Sequence, residues 1–494
     1  MTALAAPPSS TDSSAIFSRL HATLKPEAVL TTPESLKPYE CDGLSAYRQL
    51  PLAAVLPSTV QEVKDILKAA FDTGTKVIAR GSGTGLSGGA TPEADALLMS
   101  LAKFNRVLEV DPLARIARVE PGVRNLKISE TVAPHGLYYA PDPSSQIACS
   151  IGGNVAENSG GVHCLKYGLT VHNILKVEGV LATGEAVTFG SHALDAPGYD
   201  LLAAVTGSEG MLAVITEVTV KLTPKPTLAR VVMASFDAVE KAGDAVAAVI
   251  GAGIVPAGLE MMDKLATRAV EDFVHAGYDL DAEAILLCES DGTPEEVEEE
   301  IAKMESVMKA AGATACVVSN NEAERLKFWS GRKAAFPAVG RISPDYYCID
   351  GSIPRRALAL VLNRTAEMSE KYGLRCANVF HAGDGNLHPL ILYDANVPGE
   401  LERTEAFAAE LLELCIEVGG TITGEHGVGI EKINQMCTQF KDAEREMFFA
   451  LKRAFDETML LNPGKAIPTL HRCAEYGRMH VRGGQLPHAD LPRF

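Results

Sequence analysis

Apolar positions in the first half of the chain recur mainly at the spacing of short strands, with two helices among them. The pattern over 14–25 predicts a helix, and a capping-box pattern at Ser58-Thr59 opens a second, amphipathic helix that runs to about Phe71. The positions from Val214 to Leu222 alternate with their neighbours, as in a half-buried strand. Further strands are predicted at 77–79, 96–100, 107–110 and 116–119, with a hairpin formed by 174–181 and 186–189.

After Pro224 and Pro226 the pattern changes to longer strands and helices, and we place a domain boundary at these prolines. The order strand, helix, strand, strand, helix, strand then occurs twice. This order predicts a doubled ferredoxin-like domain with one mostly antiparallel sheet. The predicted elements are strands 228–236, 256–261, 284–290, 314–318, 346–353, 376–380, 388–393 and 421–423, and helices 238–250, 295–311, 355–371, 400–418 and 441–458. The tail 469–494 has little regular pattern.

Composition limits the classes of function. The 494 residues are 47% hydrophobic and 22% charged, as in an ordinary globular protein. A net charge of −18 disfavours nucleic-acid binding, because phosphates would be repelled. No apolar run reaches the roughly 18–20 residues of a membrane-spanning helix, and the N-terminus lacks the pattern of a secretory signal. The ten cysteines contain no CxxC pair, which favours reduced thiols in the cytoplasm and no iron–sulfur cluster in this chain.

A glycine-rich loop follows the strand predicted at 77–79. The stretch RGSGTGLSGGATP contains Gly83-x-Gly85-x-x-Gly88, which looks like a dinucleotide-binding fingerprint. That fingerprint needs a helix directly behind it, whereas this loop continues into Pro92 without helical periodicity, so a Rossmann fold is not predicted. The glycines still suit a loop whose backbone N–H groups converge on phosphate oxygens. The alternative is a merely flexible loop.

Two further loops combine glycine with small polar residues. PDPSSQIACSIGGNVAENSGG covers 141–161, and TGSEG at 206–210 directly precedes the strand predicted from Val214. These loops offer many short hydrogen-bond donors and let a ligand lie close to the backbone. Each is weak evidence alone, but the three together, in this order and spacing, are strong evidence.

The three loops resemble the FAD-binding domain of the vanillyl-alcohol oxidase (PCMH-type) flavoprotein family. The resemblance covers about 48–226 and implies that FAD lies between two α+β subdomains. Ala90 follows Gly88-Gly89, where covalent members of the family carry a histidine, so non-covalent FAD is implied. The residues that the resemblance assigns to FAD are Arg80, Gly81, Ser82, Gly83, Thr84, Gly85, Leu86, Ser87, Gly88, Pro141, Asp142, Ser144, Ser145, Gly152, Gly153, Asn154, Asn158, Gly160, Gly161, Glu209, Gly210, Ile215 and Asn462.

The motifs FWSGRKAAFPAVG, HAGDGNLHPLIL, TGEHGVGIEKINQM and LLNPGKAIPTLHRCAEYG resemble the D-lactate/D-2-hydroxyglutarate dehydrogenase branch, which includes the multi-subunit glycolate oxidases. This resemblance implies an α+β protein that oxidises a short 2-hydroxy acid, glycolate or D-lactate. It implies partners as well: a second FAD-type subunit and an iron–sulfur subunit, through which contact with the inner membrane is expected. The implied units are an N-terminal helical segment (1–47), a PCMH-type FAD-binding domain (48–226), a substrate or cap domain (227–459) and a C-terminal segment returning to the FAD domain (460–494).

The segment NVFHAGDGNLHP places His381 and His388 on either side of a turn that cannot be helical. Glu425, in TGEHGVG, belongs to the same predicted repeat, so the three side chains can meet at one end of its sheet. Two imidazoles and a carboxylate match a three-ligand metal site with an open position. The resemblance assigns a divalent metal, zinc or similar, to these residues, and the alternative is two solvated histidines beside an ordinary hairpin. Asp384 and Asn386 are expected to bond nearby backbone N–H groups in the turn.

His426 is expected to take the hydroxyl proton of the substrate, since imidazole titrates in the right range. The alternative for His426 is a structural histidine. Arg332 and Lys333 lie on a predicted helix, and the resemblance assigns the substrate carboxylate to Arg332, whose planar fork suits it. The alternative is a solvated surface arginine.

Two other functions are compatible with parts of the sequence. A metal-dependent hydrolase could use His381, His388 and Glu425, but it leaves the three glycine-rich loops unexplained. A flavin-holding subunit without chemistry of its own predicts damage to the HAGDGNLH or GEHG motif, and both are intact.

Overall fold

The computed structural model describes residues 13–193 and 197–468, so the tail 469–494 lies outside the described residues. The strands are β1 Val29–Leu30, β2 Ala53–Val55, β3 Lys76–Arg80, β4 Ala96–Ser100, β5 Val107–Asp111, β6 Ile116–Val119, β7 Leu137–Tyr138, β8 Ile174–Val180, β9 Ala186–Gly190, β10 Val214–Lys221, β11 Thr223–Pro224, β12 Leu228–Phe236, β13 Gly258–Asp263, β14 Ala284–Gly292, β15 Ala315–Val318, β16 Asp345–Cys348, β17 Cys376–Phe380 and β18 Pro389–Tyr393.

The helices follow the predicted order with several additions. They are α1 Ser13–Thr23, α2 Pro33–Leu36, α3 Val60–Thr73, α4 Asn125–Val132, α5 Ile151–Glu157, α6 Cys164–Tyr167, α7 Leu201–Val205, α8 Val239–Gly251, α9 Lys264–Val274, α10 Pro294–Ala310, α11 Glu322–Lys333, α12 Ala335–Val339, α13 Leu358–Tyr372, α14 Glu400–Glu417, α15 Met436–Gln439 and α16 Asp442–Phe455.

The first sheet has the order β1-β2-β4-β3, with β2 and β3 parallel to β4. Helix α3 is capped by Thr59, whose side chain accepts the Glu62 N–H in a capping box, one residue later than predicted. Ile16 and Leu20 of α1 and Ile66 of α3 belong to the buried cluster of this sheet. The two helices predicted from the apolar pattern are therefore confirmed.

The second sheet has the order β5-β6-β10-β8-β9 and is antiparallel throughout. The predicted hairpin is β8 with β9, and the alternating stretch from Val214 is the central strand β10. Val119, Val177 and Val218 of this sheet are fully buried in one apolar cluster with Ile151 of α5. The first half of the chain thus consists of two α+β layers.

The cap sheet, defined as β12 to β18, has the order β15-β12-β14-β13-β17-β18-β16 and is antiparallel at every pairing. The first four strands have the ferredoxin-like order, and the second copy joins them where β13 pairs with β17. Successive residues of β14 are buried on opposite faces, Leu286 in one apolar cluster and Leu287 in the other. The doubled ferredoxin-like arrangement with one antiparallel sheet is confirmed for seven of its eight predicted strands.

The second copy lacks its fourth strand, so the prediction of a strand at 421–423 was wrong. Only one isolated bridge forms there, between Ser352 and Thr421. A Cβ on Gly420 would lie 1.9 Å from the Ser352 carbonyl oxygen, which shows how closely the two backbones approach. Beyond Thr421 the ladder ends: the Ile422 N–H donates to the Gln439 side chain, and the N–H groups of Gly424 and Glu425 donate to the Asp350 carboxylate.

On the cap-sheet face that carries Leu287, helices α9 and α12 were not predicted from the sequence. Helix α9 fills the gap after β13, capped by Asp263, whose side chain accepts the Ala266 N–H at 2.9 Å. Helix α11 begins at the N-cap Asn321 and ends at Lys333, so the helix expected around Arg332 is confirmed, and α12 follows it directly. These helices cover the cap-sheet face that carries Leu287. Lys333, the last residue of α11, lies at the candidate active site described below.

Candidate active site

A cavity of about 480 Å³ lies between the first two sheets and the cap sheet. Its volume is in the range of roughly 300–1,000 Å³ that is usual for cofactor sites. Residues on its wall come from the loop after β3, from α5, from β10 and from the end of α11. Those predicted to bind FAD that line it are Arg80, Gly81, Ser82, Gly83, Thr84, Gly85, Leu86, Ser144, Ser145, Gly152, Gly153, Asn154, Glu209, Gly210 and Ile215.

The remaining residues predicted to bind FAD are not part of this wall. Several of them hold it in place: the Asn462 amide donates to the carbonyl oxygens of Gly89 and Glu209 at 2.8 and 2.6 Å. The Gly160 N–H donates to Glu425 Oε2 at 2.9 Å. The residues that were predicted to bind FAD and do not line the cavity are Ser87, Gly88, Pro141, Asp142, Asn158, Gly160, Gly161 and Asn462.

The glycines of the wall are required by close approach of the backbone. A Cβ on Gly81 would lie 2.1 Å from Ser150 Oγ, and one on Gly152 would lie 2.5 Å from Pro121 Cβ. The loop after β3 therefore packs directly on the start of α5, and any larger side chain would separate them. At this part of the wall, the cavity is therefore lined by backbone atoms and not by side chains.

His381, His388 and Glu425 meet at one point beside the cavity. His381 Nε2 lies 3.0 Å and His388 Nε2 2.9 Å from Glu425 Oε1. All three side chains are buried, so the alternative of two solvated histidines is excluded. His388 and Glu425 also line the cavity, which places the cluster at its wall.

The opposite nitrogen of each histidine has its own acceptor. His381 Nδ1 lies 2.7 Å from Glu260 Oε1, and His388 Nδ1 lies 3.4 Å from the Ile349 carbonyl oxygen. When both Nδ1 atoms carry the proton, the two Nε2 lone pairs are available to a cation beside Glu425. Metal-binding histidines in proteins are usually held in this way, by a carboxylate or a carbonyl on the second nitrogen.

Asp350 holds the turn that carries Glu425 and His426. Its carboxylate accepts the backbone N–H of both residues, at 3.1 and 2.9 Å, and that of Gly424 at 3.1 Å. Lys432 Nζ lies 3.1 Å from the same carboxylate, and both side chains are fully buried. Burial opposes ionisation, but the Lys432 charge holds the pKa of Asp350 well below its usual range.

The turn between the two histidines differs in part from expectation. The Asp384 side chain accepts the Asn386 N–H at 3.1 Å, as predicted for a turn-former. The Asn386 side chain instead donates to Glu425 Oε1 at 3.2 Å. A Cβ on Gly424 would lie 2.2 Å from that amide, so Asn386 is held against the Glu425 turn and the expectation of a purely local bond was wrong.

Comparison with known proteins agrees with these features. Residues 51–190 match the family described as "FAD binding domain", and residues 225–466 match "FAD linked oxidases, C-terminal domain". The glycolate oxidase subunit GlcD of Escherichia coli (strain K12) is 63% identical over 466 residues, covering 94% of this chain and 93% of that protein. The chain belongs to the FAD-linked oxidase family.

Other relatives extend the comparison. Glycolate oxidase subunit GlcD of Bacillus subtilis is 38% identical, covering 86% of this chain and 91% of that protein. A D-lactate dehydrogenase of Archaeoglobus fulgidus is 34% identical, covering 84% of this chain and 91% of that protein. The solved structure of p-cresol methylhydroxylase with substrate bound has a TM-score of 0.79 at 19% identity and covers 93% of this chain and 97% of its own. This likeness confirms the PCMH-type fold.

Arg332 and Lys333 have different positions in this FAD-linked oxidase. Arg332 is buried, not solvated, and its Nε donates to Glu260 Oε2 at 2.7 Å. It lies behind the histidine cluster, and its Nη2 has no hydrogen-bond partner in the described part of the chain. Lys333 lies on the cavity wall, so the structure places this residue, and not Arg332, where a substrate could touch it.

His426 lies on the cavity wall and stacks on His388, with ring centroids 4.9 Å apart. Its Nδ1 has no hydrogen-bond partner among the described residues. Burial lowers the pKa of His426 to about 4, against the opposing charge of Asp350. The imidazole is therefore neutral at neutral pH and can accept a proton.

Several residues of the site were not identified from the sequence. They are Asp42 and Glu157 on the cavity wall, Glu260 behind His381, and Asp350 below the Glu425 turn. Glu260 carried a usable signal, because a glutamate in the middle of the apolar strand GLEMMD needs a buried partner. The other acids lie in loops or at a helix end, where an acidic residue is unremarkable in a sequence.

Two expectations about the whole chain can also be compared with the structure. No helix within residues 13–193 and 197–468 is long and apolar enough to cross a membrane. Cys41, Cys149, Cys164, Cys288, Cys316, Cys348, Cys376 and Cys415 are free thiols, as expected. Cys437 is disulfide-bonded, contrary to expectation, since pairing depends on proximity in space and needs no CxxC spacing.

Proposed function

We propose that the protein oxidises a short 2-hydroxy acid to the corresponding 2-oxo acid, with FAD as the electron acceptor. The observation that supports this proposal most directly is that His388, Glu425 and His426 lie on the wall of the same cavity as the glycine-rich loops. A group that accepts a proton and a cofactor that accepts a hydride can thus contact one substrate. In this proposal, residues 48–226 bind FAD and residues 227–459 supply the substrate site.

The names of the relatives suggest the substrates. Glycolate oxidase subunits and a D-lactate dehydrogenase are among them, so we propose glycolate and D-lactate, oxidised to glyoxylate and pyruvate. FAD, when bound, supplies the acceptor for the Cα hydride. His426 takes the hydroxyl proton, because its imidazole is neutral and faces the cavity. Lys333, on the wall of the same cavity, pairs with the substrate carboxylate, and Arg332 supports the cluster through Glu260.

We further propose a divalent metal, zinc or similar, on His381, His388 and Glu425. Two imidazole nitrogens with fixed tautomers and one carboxylate oxygen are a donor set that divalent metals favour. When bound, such a metal lowers the pKa of a coordinated hydroxyl. Among the described residues, two groups have ligand atoms within 4.8 Å of one another: Cys348, His388 and His426, and Asp350, His388, Glu425 and His426. His381 is in neither group, so our proposal requires its ring to move toward His388. We prefer the set with His381 because the Asp350 carboxylate is already occupied by three backbone N–H groups.

A place in a larger assembly follows from the same proposal. Two electrons must leave the protein after each turnover, and the relative that shares 63% of its residues is named as a subunit of glycolate oxidase. We therefore propose transfer to partner subunits, one FAD-type and one iron–sulfur, which would also provide any peripheral association with the inner membrane. A metal-dependent hydrolase is not favoured, because it has no use for an FAD-binding domain.

Anaerobic mixing tests the proposal. FAD-loaded protein is mixed with glycolate, D-lactate and L-lactate, and loss of the visible flavin absorption is followed by stopped flow. Glycolate or D-lactate should bleach the flavin. His426→Asn should keep FAD yet slow the bleaching by about 10²–10⁴-fold, the usual contribution of a positioned base, whereas His135→Asn, on an exposed turn, should behave like wild type. Absence of bleaching by every 2-hydroxy acid would refute the function, and an unaffected His426→Asn variant would refute the assigned base.

A further inference from the structure

Glu157, the last residue of α5, lies on the cavity wall and has no part in the reaction described above. Its Oε1 is 3.1 Å from the position of a Cβ built on Gly89, and its Oε2 is 2.2 Å from that of a Cβ built on Gly427. The carboxyl group thus lies between the first glycine-rich loop and the turn that carries His426. Among the described residues, Oε2 has no hydrogen-bond partner.

A second carboxyl group, that of Glu209, lies beside it. Glu209 Oε1 is 3.0 Å from the same point over Gly427, and its Oε2 is 3.6 Å from the point over Gly89. Unlike Glu157, Glu209 is well supplied with donors: its two oxygens accept the N–H groups of Val428 and Gly429 at 2.6 and 2.7 Å. Two carboxyl groups this close do not both ionise easily, and the one with hydrogen-bond donors keeps the charge.

The surrounding charges agree with this assignment. Burial, and then the neighbouring Glu209, raise the pKa of Glu157 well above its usual range; Asp42 and Asp350 act in the same direction, and Lys432 opposes them. Burial raises the pKa of Glu209 as well, but its two backbone N–H donors act against that change. A protonated carboxyl group is a hydrogen-bond donor, and the acceptors within its reach include Glu209 and an occupant of the cavity.

We propose that Glu157 is a neutral hydrogen-bond donor to the flavin ring of FAD bound in this cavity, and that it stabilises the negative charge that the ring acquires on reduction. The proposal rests on the proposed function in one respect, the presence of FAD. The ring is the part of FAD in question because Glu157 lies beside the His426 turn, and a hydride acceptor must be close to the base that deprotonates the same substrate. Glu157 is therefore a residue that tunes the cofactor.

The experiment measures the reduction potential of bound FAD in the full-length protein by dye-coupled titration. Glu157→Ala removes the donor, and we expect the reduced form to be disfavoured by about ten- to a hundredfold, the usual worth of a hydrogen bond to a charged group. For a two-electron couple this corresponds to a potential lower by roughly 30–60 mV. Glu157→Gln keeps a neutral donor of the same shape and should stay close to wild type. Glu298→Ala and Glu298→Gln, on the exposed face of α10, are the matched controls.

The outcomes separate this inference from the proposed function. FAD content is measured first, and a wild-type protein without FAD would refute the proposed function itself. An unchanged potential in Glu157→Ala would show that the proton is merely shared with Glu209 and would overturn the inference. If Glu157→Ala fails to retain FAD, Glu157→Gln decides: an ionised glutamate predicts a clearly higher potential on neutralisation, and a neutral donor predicts no change.

Discussion

Replacing Asp350 by asparagine should destabilise the protein and disturb its site. Asp350 is fully buried, and its carboxylate accepts the backbone N–H groups of Gly424, Glu425 and His426 at 3.1, 3.1 and 2.9 Å. Lys432 Nζ lies 3.1 Å from the same carboxylate. Asparagine keeps the shape but converts one acceptor oxygen into a donor and removes the charge that faces the lysine.

The magnitude follows from the ion pair. Breaking a buried pair by removing one partner costs about 3–5 kcal/mol. Glu431 Oε2 lies 3.4 Å from Lys432 Nζ and offsets part of the loss, so we expect a decrease of about 3 kcal/mol in the free energy of unfolding. With an unfolding entropy of about 2.1 cal/mol/K per residue, the Tm of a chain of 494 residues shifts by about 1 °C per kcal/mol, so it should fall by roughly 3 °C. Metal content and turnover should fall as well, because the turn that carries Glu425 and His426 loses its anchor.

Thermal unfolding of the FAD-loaded protein, followed by circular dichroism, is the assay. Asp244→Asn, on the exposed face of α8, is the matched control. Adding Lys432→Met to Asp350→Asn should restore part of the Tm, since no lysine charge is then left unpaired. Glu431, whose pKa burial raises to about 7, can take up a proton in that variant. A single variant with the Tm and turnover of the control would refute the anchoring role of Asp350.

Four further outcomes are expected. Acid precipitation should release FAD into the supernatant, because Ala90 occupies the position of a covalent histidine; flavin in the pellet would contradict this. His381→Ala/His388→Ala should lose metal by elemental analysis and keep FAD, and active wild-type protein without metal would refute the metal site. Lys333→Met should raise the KM for glycolate by about tenfold or more, and unchanged kinetics would assign the carboxylate to another residue. Burial opposes the charged form of His163, yet Asp142 and Glu289 raise its pKa well above the usual range. The Tm of the wild-type protein should therefore exceed that of His163→Gln by its full amount below pH ~6.5, and the difference should vanish as the pH rises through the higher folded-state pKa. A pH-independent difference would argue against a charged His163.

The parts of the site that were predictable from the sequence are those carried by local pattern. The glycines around Gly83 and Gly152 stand out because several occur within one short loop, and both loops lie on the cavity wall. His381 and His388 stand out because one turn separates them, and the structure brings them together at Glu425. Local spacing was sufficient in these cases because each motif folds as one turn.

The residues that orient these motifs could not be found in that way. Glu260 is 121 residues from His381, and Asp350 is 75 residues from Glu425, so each contact depends on how the cap sheet is assembled. Arg332 was predicted on a helix, but its position behind the cluster follows from the packing of α11 and from its bond to Glu260. Which of two adjacent residues reaches the cavity is decided by tertiary packing, and the sequence pattern is the same for both.

Hydrogen-bond donors and acceptors alternate along the cluster, from Arg332 through Glu260 and His381 to Glu425. Arg332 neutralises Glu260, and Glu260 in turn fixes His381, so the Arg332–Glu260 pair contributes no net charge. The two Nε2 atoms meet at Glu425 Oε1, which also accepts the Asn386 amide, while Oε2 accepts the Gly160 N–H. Burying a carboxylate is costly unless a cation or several donors surround it. In our proposal a divalent metal would supply positive charge at this point. Glu260 and the Ile349 carbonyl would orient the two rings, and the His381 and His388 nitrogens would have to move closer together, because His381 belongs to no group of described ligand atoms within 4.8 Å of one another. The same reasoning explains the burial of Arg332: its charge balances Glu260, the group that orients His381. In our proposal the substrate carboxylate then pairs with Lys333 at the cavity wall.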